Sequence, residues 1–239
     1  VEAAEHLRRA LDSAATDGDE VRRLELGLSL CDSLRVVGQT EAILSILSEI
    51  ESLAATDHDK ARLHHLRGNT HFVRGEIEKN LAEQRRALSY ARAAQDAEQE
   101  MHALSGMADA EYMRGRMASA FDHYDACIGM ANQRGDTAVA AGNITAREHT
   151  RLLTRGPLPS RETMLDGIAF IEQADHPRGE LILRGTAAAM YLDLAEPEAA
   201  LAQAERSREI CERIGAQIWL AYPILHQARA HRSMGEIDK

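Results

Sequence analysis

Residues 72–88, FVRGEIEKNLAEQRRAL, align without a gap with residues 112–128, YMRGRMASAFDHYDACI. The alignment places a glycine over a glycine, and the same position recurs further along the chain. The recurring residues, in steps of 40, 41, 39 and 40, are Gly75, Gly115, Gly156, Ala195 and Gly235. A fixed period of this length is typical of a repeat architecture.

Each repeat contains two runs with apolar residues at three- and four-residue spacing, which predicts a pair of amphipathic helices. A small residue at the recurring position would end the first helix in a left-handed conformation. Aspartates are placed to cap the helix that opens each repeat, at Asp17, Asp57, Asp96 and Asp136. Such a pair buries its apolar face only against its neighbours. The predicted fold is therefore all-α, a right-handed superhelical solenoid of antiparallel helix pairs with a period of about 40 residues.

The period also predicts the organisation of the chain as a single solenoid over residues 1–239. Complete repeats are expected at about 18–56, 57–95, 96–135, 136–176 and 177–215, with partial repeats at 1–17 and 216–239. The chain starts inside a helical pattern and stops where another helix is due. We therefore expect a segment of a longer protein.

Composition narrows the classes of function. The formal net charge of -10 argues against general affinity for nucleic acid or for anionic membranes, because both require a basic surface. Cys31, Cys127 and Cys211 are too far apart for a zinc or redox motif, so we expect reduced, buried thiols. No membrane-spanning stretch or signal peptide is visible, and a cytoplasmic location is expected.

Catalytic patterns are missing from the sequence. The glycines are solitary, unlike a phosphate-binding loop. Glu148 and His149 lack the second histidine of a zinc helix, since Leu153 stands at that position. A concentration of histidines is interpreted as an exposed helix face, at His58, His64, His65 and His71. The sequence therefore predicts no catalytic residue, no metal and no cofactor, although spatial assembly of a nucleophile is not excluded.

The first helix of each repeat should line a concave groove with the stripe of residues that does not pack. In the second complete repeat the stripe is Arg62, His65, Asn69 and Phe72. The same offsets then give His102, Ser105, Asp109 and Tyr112, followed by Asn143, Ala146, Thr150 and Leu153. Polar donors mixed with aromatic anchors favour recognition of a protein or peptide. The alternative is that the stripe is only a solvated surface.

Two irregularities interrupt the repeats. The run Gly156-Pro157-Leu158-Pro159-Ser160 predicts a lengthened turn, with Ser160 as the next N-cap. Pro223 requires that the last helix either begin close to Ala221 or bend. The neighbouring Trp219 is expected in the core.

The sequence resembles the tetratricopeptide repeat family over nearly its whole length. The family places small residues where paired helices cross and aromatic residues between them, and Ala120, Tyr124 and Cys127 follow that order after Gly115. The usual tryptophan and closing proline of the family are absent, and the period is longer than its commonest length. The resemblance implies a binding and scaffolding module.

Residues 64–131 resemble more narrowly the C-terminal repeat region of bacterial adenylate/guanylate cyclases that carry an ATPase module. The similarity lies in LRGN at 66–69, EQRRAL at 83–88 and ALSGMADAEYMRGRM at 103–117. It implies a non-catalytic regulatory or sensor segment that contacts other domains of its parent chain. Two alternatives stay open, a helical sensor arm of an ATP-dependent transcription regulator and a stand-alone peptide-binding adaptor. An enzyme housed in the repeats is the fourth and least favoured reading.

Overall fold

The structure is a computed structural model, in which residues 2–236 are described. Within these residues every regular element is helical. The chain divides into two compact halves, Val1–Arg116 and Met117–Lys239. The N-terminal half contains α1 (Glu2–Asp17), α2 (Glu20–Val36), α3 (Thr40–Ile50), α4 (Asp57–Val73), α5 (Ile77–Ala93) and α6 (Ala97–Met113). The C-terminal half contains α7 (Met117–Arg134), α8 (Thr137–Arg155), α9 (Pro157–Gln173), α10 (Pro177–Asp193), α11 (Pro197–Ile214) and α12 (Ala221–Ser233). The all-α prediction is confirmed.

Helices pack in the same way within each half. In the N-terminal half, α4 packs against α5, and the alternate helices α2, α4 and α6 contact one another in series. In the C-terminal half, α10 packs against α11, and α8, α10 and α12 form the corresponding series. Because the connecting turns are short, successive helices run antiparallel. Side chains from one face of α2, α4 and α6 therefore lie on the same surface of the N-terminal half.

Apolar burial explains this packing. In the N-terminal half, Leu28, Leu47 and Ile50 are buried in one cluster that joins α2 to α3. In the C-terminal half, Leu181 and Ile210 are buried together, with Trp219 partly buried against them. All three cysteines are buried and free, as predicted. No helix among the described residues is both long and apolar enough to cross a lipid bilayer.

Helix ends follow the predicted period. Gly75, Gly115 and Gly235 have φ angles of +74°, +73° and +79°, and Ala195 has +58°. The amide of Gly75 donates to the carbonyl of Phe72, and the next amide donates to that of His71. The left-handed residue thus closes α4 and turns the chain into α5. Gly156 differs, because its ψ angle of 176° makes it a one-residue link between α8 and α9.

Two of the four predicted N-caps are wrong. Asp96 and Asp136 cap α6 and α8 as predicted. Asp17 instead is the last residue of α1, and Asp19 caps α2. Asp57 is the first residue of α4, whose cap is Thr56. A threonine and an aspartate three residues later cap each other reciprocally, which a search for aspartate alone cannot detect.

This capping box gives a testable prediction. The Thr56 hydroxyl accepts from the amide of Asp59, while the Asp59 carboxylate accepts from the Thr56 amide. Thr56→Ala should lower the free energy of unfolding by about 1 kcal/mol. Thr16→Ala is the matched control, because the Thr16 hydroxyl is exposed at the end of α1 and caps nothing. Equal effects of the two substitutions in urea denaturation would contradict the capping role.

The predicted lengthened turn at residues 156–160 is also wrong. Both prolines lie in the first turn of α9. Backbone N–H groups in the first turn of a helix have no acceptor within that helix, so a proline there loses no hydrogen bond. Ser160 is not an N-cap, since it lies inside α9 and donates its hydroxyl to the carbonyl of Gly156. Of the two alternatives for Pro223, the start of α12 at Ala221 is the observed one.

Candidate functional site

A pocket of about 410 Å³ opens on the surface shared by α2, α4 and α6, and we call it the first-helix pocket. Three helices of the N-terminal half contribute to its wall, and most lining side chains are polar. The lining residues are Asp32, Arg35, Arg62, His65, Leu66, Asn69, Glu98, Gln99 and His102. The pocket thus spans three successive repeats of the sequence pattern.

Four of the eight candidate groove residues meet in this pocket, namely Arg62, His65, Asn69 and His102. Phe72, Asp109 and Tyr112 lie further along the same helices, partly exposed and outside the lining. The eighth candidate, Asn143, belongs to the C-terminal half. It is buried, and its amide donates to the carbonyl of Val139 in its own helix.

Sequence reasoning missed part of the lining. Gly38 is the turn residue of the first complete repeat and corresponds to Gly75 of the second. Asp32 and Arg35 precede Gly38 by the same spacing as Asn69 and Phe72 precede Gly75. The signal for these two residues was therefore present, although the fainter repeat obscured it. Glu98 and Gln99 precede His102 by one helical turn, which places them on its face of α6.

The charged groups of the pocket are largely neutralised. Arg62 donates to both carboxylate oxygens of Glu25, at 2.6 and 3.1 Å. Arg35 lies 3.8 Å from Asp32, and both side chains are more than half exposed. The hydrogen bond to Glu25 raises the pKa of Arg62, so this guanidinium is always charged. Two arginines and two carboxylates line the pocket, and Glu25 adds a further negative charge beside it.

A closed hydrogen-bond network forms the floor of the pocket. His65 Nδ1 lies 3.1 Å from Gln84 Oε1, and His65 Nε2 lies 2.9 Å from Asn69 Nδ2. The Gln84 amide nitrogen contacts Asn69 Oδ1 at 2.9 Å and the His65 carbonyl at 3.3 Å. Since an amide oxygen only accepts and an amide nitrogen only donates, these contacts fix one tautomer of His65, with the proton on Nδ1. His102 stacks on the His65 ring with centroids 5.2 Å apart.

The surroundings of His65 keep its imidazole uncharged. Burial lowers its pKa to about 4, and the nearby His102 and Arg35 act in the same direction against the hydrogen bond to Gln84. A histidine in an unfolded chain titrates near 6.5. Between these two values the unfolded state binds the extra proton, so the contribution of His65 to stability is present above about pH 6.5 and is lost as the pH falls toward 4.

The interpretation of the other histidines as a solvated face is wrong for His64 and His71, whereas His58 is exposed as predicted. His64 is buried, lies 2.6 Å from Glu83 through Nδ1, and stacks on Tyr90. His71 pairs with Glu76 at 2.7 Å, and His58 pairs with Asp96 at 2.5 Å. Each ring thus has a carboxylate of its own, supplied by α5 to His64, by the cap of α5 to His71 and by the cap of α6 to His58.

Three basic side chains, His64, Arg67 and Arg86, lie around the Glu83 carboxylate. Burial alone would raise the pKa of Glu83, but the hydrogen bond with His64 and the charges of His64, Arg67 and Arg86 hold that pKa below its usual value. No group of three histidine, cysteine or acidic side chains suited to a metal ion occurs in the described part of the chain.

A second pocket in the N-terminal half has the same volume, about 410 Å³, and a more apolar wall. It lies between α1, α2 and the start of α3, and includes Arg8, Leu30, Leu34 and Val37. None of the predicted groove residues lines it.

Comparison with known proteins supports the fold. No family model matches the chain, and no curated protein matches it in sequence. Among solved structures, the apo form of RapI matches with a TM-score of 0.74 at 10% identity, over 99% of this chain and 72% of that one. A Rap protein complexed with Competence and Sporulation Factor matches with a TM-score of 0.67 at 12% identity, over 98% and 71%.

A third match is a Signal Transduction ATPase with Numerous Domains from Pyrococcus horikoshii, which has a tetratricopeptide repeat sensor. Its TM-score is 0.74 at 14% identity, and the match covers 95% of this chain and 38% of that one. Identities this low establish architecture alone. The chain has the helical-repeat fold of tetratricopeptide-type proteins.

Proposed function

We propose that this chain is a non-catalytic binding scaffold that takes a protein or peptide segment in the first-helix pocket. The observation that carries the proposal is the meeting of Arg62, His65, Asn69 and His102 in one recess. A pocket that crosses three helices suits an extended ligand, because successive ligand residues can contact successive repeats.

The fold neighbours are compatible with such a role. One of the Rap proteins is complexed with Competence and Sporulation Factor, so this architecture can hold a second molecule. The side chains of the first-helix pocket are suited to recognition rather than to reaction. Its one network-bound imidazole has both nitrogens engaged by neighbouring amides, which leaves it no free position to act as a base.

Selection of binders from a random peptide library on the immobilised chain tests the proposal. Arg62→Ala and His102→Ala should each weaken a selected peptide by about tenfold, since each removes a side chain from the pocket wall. Arg92→Ala is the matched control, because Arg92 is exposed and its ion pair with Glu100 lies outside the pocket. Binding that all three variants leave unchanged would place the ligand elsewhere.

The finer proposal is that the segment regulates a larger bacterial signalling protein, such as a nucleotide cyclase. Its support is the motif similarity over residues 64–131 and the Pyrococcus ATPase with a tetratricopeptide repeat sensor, in which 38% of the chain matches this fold. The transcription-regulator arm and the free adaptor are the competing proposals. The complete reading frame discriminates among them, since a cyclase module, a DNA-binding helix-turn-helix or neither would accompany the repeats.

A further inference from the structure

The floor of the first-helix pocket depends on a residue that does not line it. Gln84 belongs to α5, the second helix of its repeat, and its side chain is fully buried. Its amide group reaches between α4 and α6 and meets both His65 and Asn69 there. The side chains of His65 and Asn69 in the pocket floor are therefore positioned by a residue of α5 that lies beneath them.

Two glycines make this approach possible. A methyl group added at Gly68 of α4 would lie 2.6 Å from Gln84 Nε2, and one added at Gly106 of α6 would lie 2.5 Å from Gln84 Cδ. Both distances are far below van der Waals contact. The Gln84 side chain thus occupies a slot formed by two facing glycines, one on each neighbouring helix, and has little freedom to move.

The hydrogen bonds of Gln84 decide what the pocket presents to a ligand. Its oxygen accepts a hydrogen bond from His65 Nδ1–H, and its nitrogen donates one to Asn69 Oδ1. Asn69 is thereby oriented with its nitrogen toward His65 Nε2, so the imidazole is satisfied at both nitrogens. The result is a floor formed by the uncharged His65 imidazole and the Asn69 amide, with His102 stacked on the His65 ring.

Charge around this floor does not favour an anion. The charged groups that line the pocket are Arg35, Arg62, Asp32 and Glu98, and Glu25 neutralises Arg62 from outside. No cation among them is left without a nearby carboxylate to balance it. A carboxylate entering the pocket would lose water without gaining a strong partner, which is costly.

We propose that Gln84 is a positioning residue that locks His65 and Asn69 into one uncharged arrangement, so that the first-helix pocket selects an uncharged amide-bearing segment over a carboxylate. This inference rests on the proposed function of the pocket. The ligand class is a peptide backbone, or an asparagine or glutamine side chain, whose amide can pair with the one N–H and the one oxygen lone pair that Asn69 retains after its bonds to His65 and Gln84.

The ligand-free part of the test is the protonation of His65, read from nitrogen chemical shifts of the full chain. The wild type should show a single tautomer with the proton on Nδ1. Gln84→Met keeps the length and removes all of these hydrogen bonds, so the Nε2-protonated tautomer should become populated. Gln99→Met is the control, since Gln99 lines the same pocket while the hydrogen bonds of the His65 ring go to Gln84 and Asn69. A tautomer unchanged by Gln84→Met, in a variant that retains its helical circular dichroism, would overturn the positioning role.

The ligand part uses a peptide selected from the random library, made with a C-terminal amide or a free carboxylate and with each glutamine or asparagine exchanged for its acid. The neutral versions should bind about tenfold more tightly, and Gln84→Met should remove most of that preference. A preference for the acid would overturn the inference while leaving the binding function intact. If no peptide binds, the proposed function and this ligand class both fail, whereas the tautomer result stands independently.

Discussion

Gly106→Ala is expected to lower the free energy of unfolding by about 1–3 kcal/mol, although alanine is the better helix former. The new methyl group would lie 2.5 Å from both Cδ and Nε2 of Gln84. A flexible side chain can usually move away from such a contact. Gln84 cannot, because Gly68 of α4 closes the opposite side of the slot and the amide group is held by three hydrogen bonds.

The matched control for this substitution is Gly129→Ala. Gly129 is exposed in the middle of α7, and a methyl group there would meet nothing within 4 Å. Helix propensity then acts alone, so this variant should gain about 0.5–1 kcal/mol. The two glycine substitutions should therefore have opposite signs in urea denaturation. In a Gln84→Ser background, Gly106→Ala should lose most of its cost, and a cost that persists would contradict the slot.

Glu148→Ala is expected to cost about 3 kcal/mol of unfolding free energy. The Glu148 side chain in α8 is fully buried and lies 2.8 Å from Arg147 and 3.4 Å from Arg151. The Arg151 guanidinium also stacks over the buried ring of Phe121, 4.8 Å from its centroid. Removal of the carboxylate leaves the mostly buried Arg151 without its counter-charge and Arg147 with only the half-exposed Asp125 at 3.4 Å, together with a cavity beside Gly167.

Glu212→Ala is the matched control for Glu148. Glu212 accepts from Arg208 at 2.9 Å, a geometry close to that of the buried pair, but both side chains are about half exposed. An exposed pair of this kind contributes less than about 0.5 kcal/mol. The free energies of unfolding of the two variants, measured in thermal or urea denaturation, therefore compare a buried ion pair with an exposed one. Similar costs for both would show that Arg147 and Arg151 rehydrate freely when Glu148 is lost.

The repeat spacing was sufficient to predict the fold because each repeat needs a residue that can adopt a left-handed conformation at the end of its first helix. Gly75, Gly115 and Gly235 recur where a left-handed residue must end a helix, and Ala195 adopts the same conformation without a glycine. The N-caps were harder to predict, because the cap of α4 is a pair of residues, Thr56 and Asp59, that bond to each other's backbone amides. Pro157 was misread because a proline breaks a helix interior but is well suited to the first turn of one.

The pocket was only partly predictable. Helical spacing identifies which face Arg62, His65 and Asn69 share, and the repeat offset adds His102. It does not say how far along the helices a recess extends, and for that reason Phe72 and Tyr112 were included. Gln84 could not be found from spacing at all. Its role arises from two glycines on different helices that face the same point in space, and such a coincidence is visible only in three dimensions.

The most direct test of the binding role is to map a library-selected peptide onto the chain by amide chemical-shift changes during titration. We expect the largest changes at α2, α4 and α6 around Asp32, His65, Asn69 and His102, and we expect His102→Ala to diminish them. Changes centred instead on the second pocket at Arg8, Leu34 and Val37, or confined to the C-terminal half, would contradict the assignment of the first-helix pocket as the binding site.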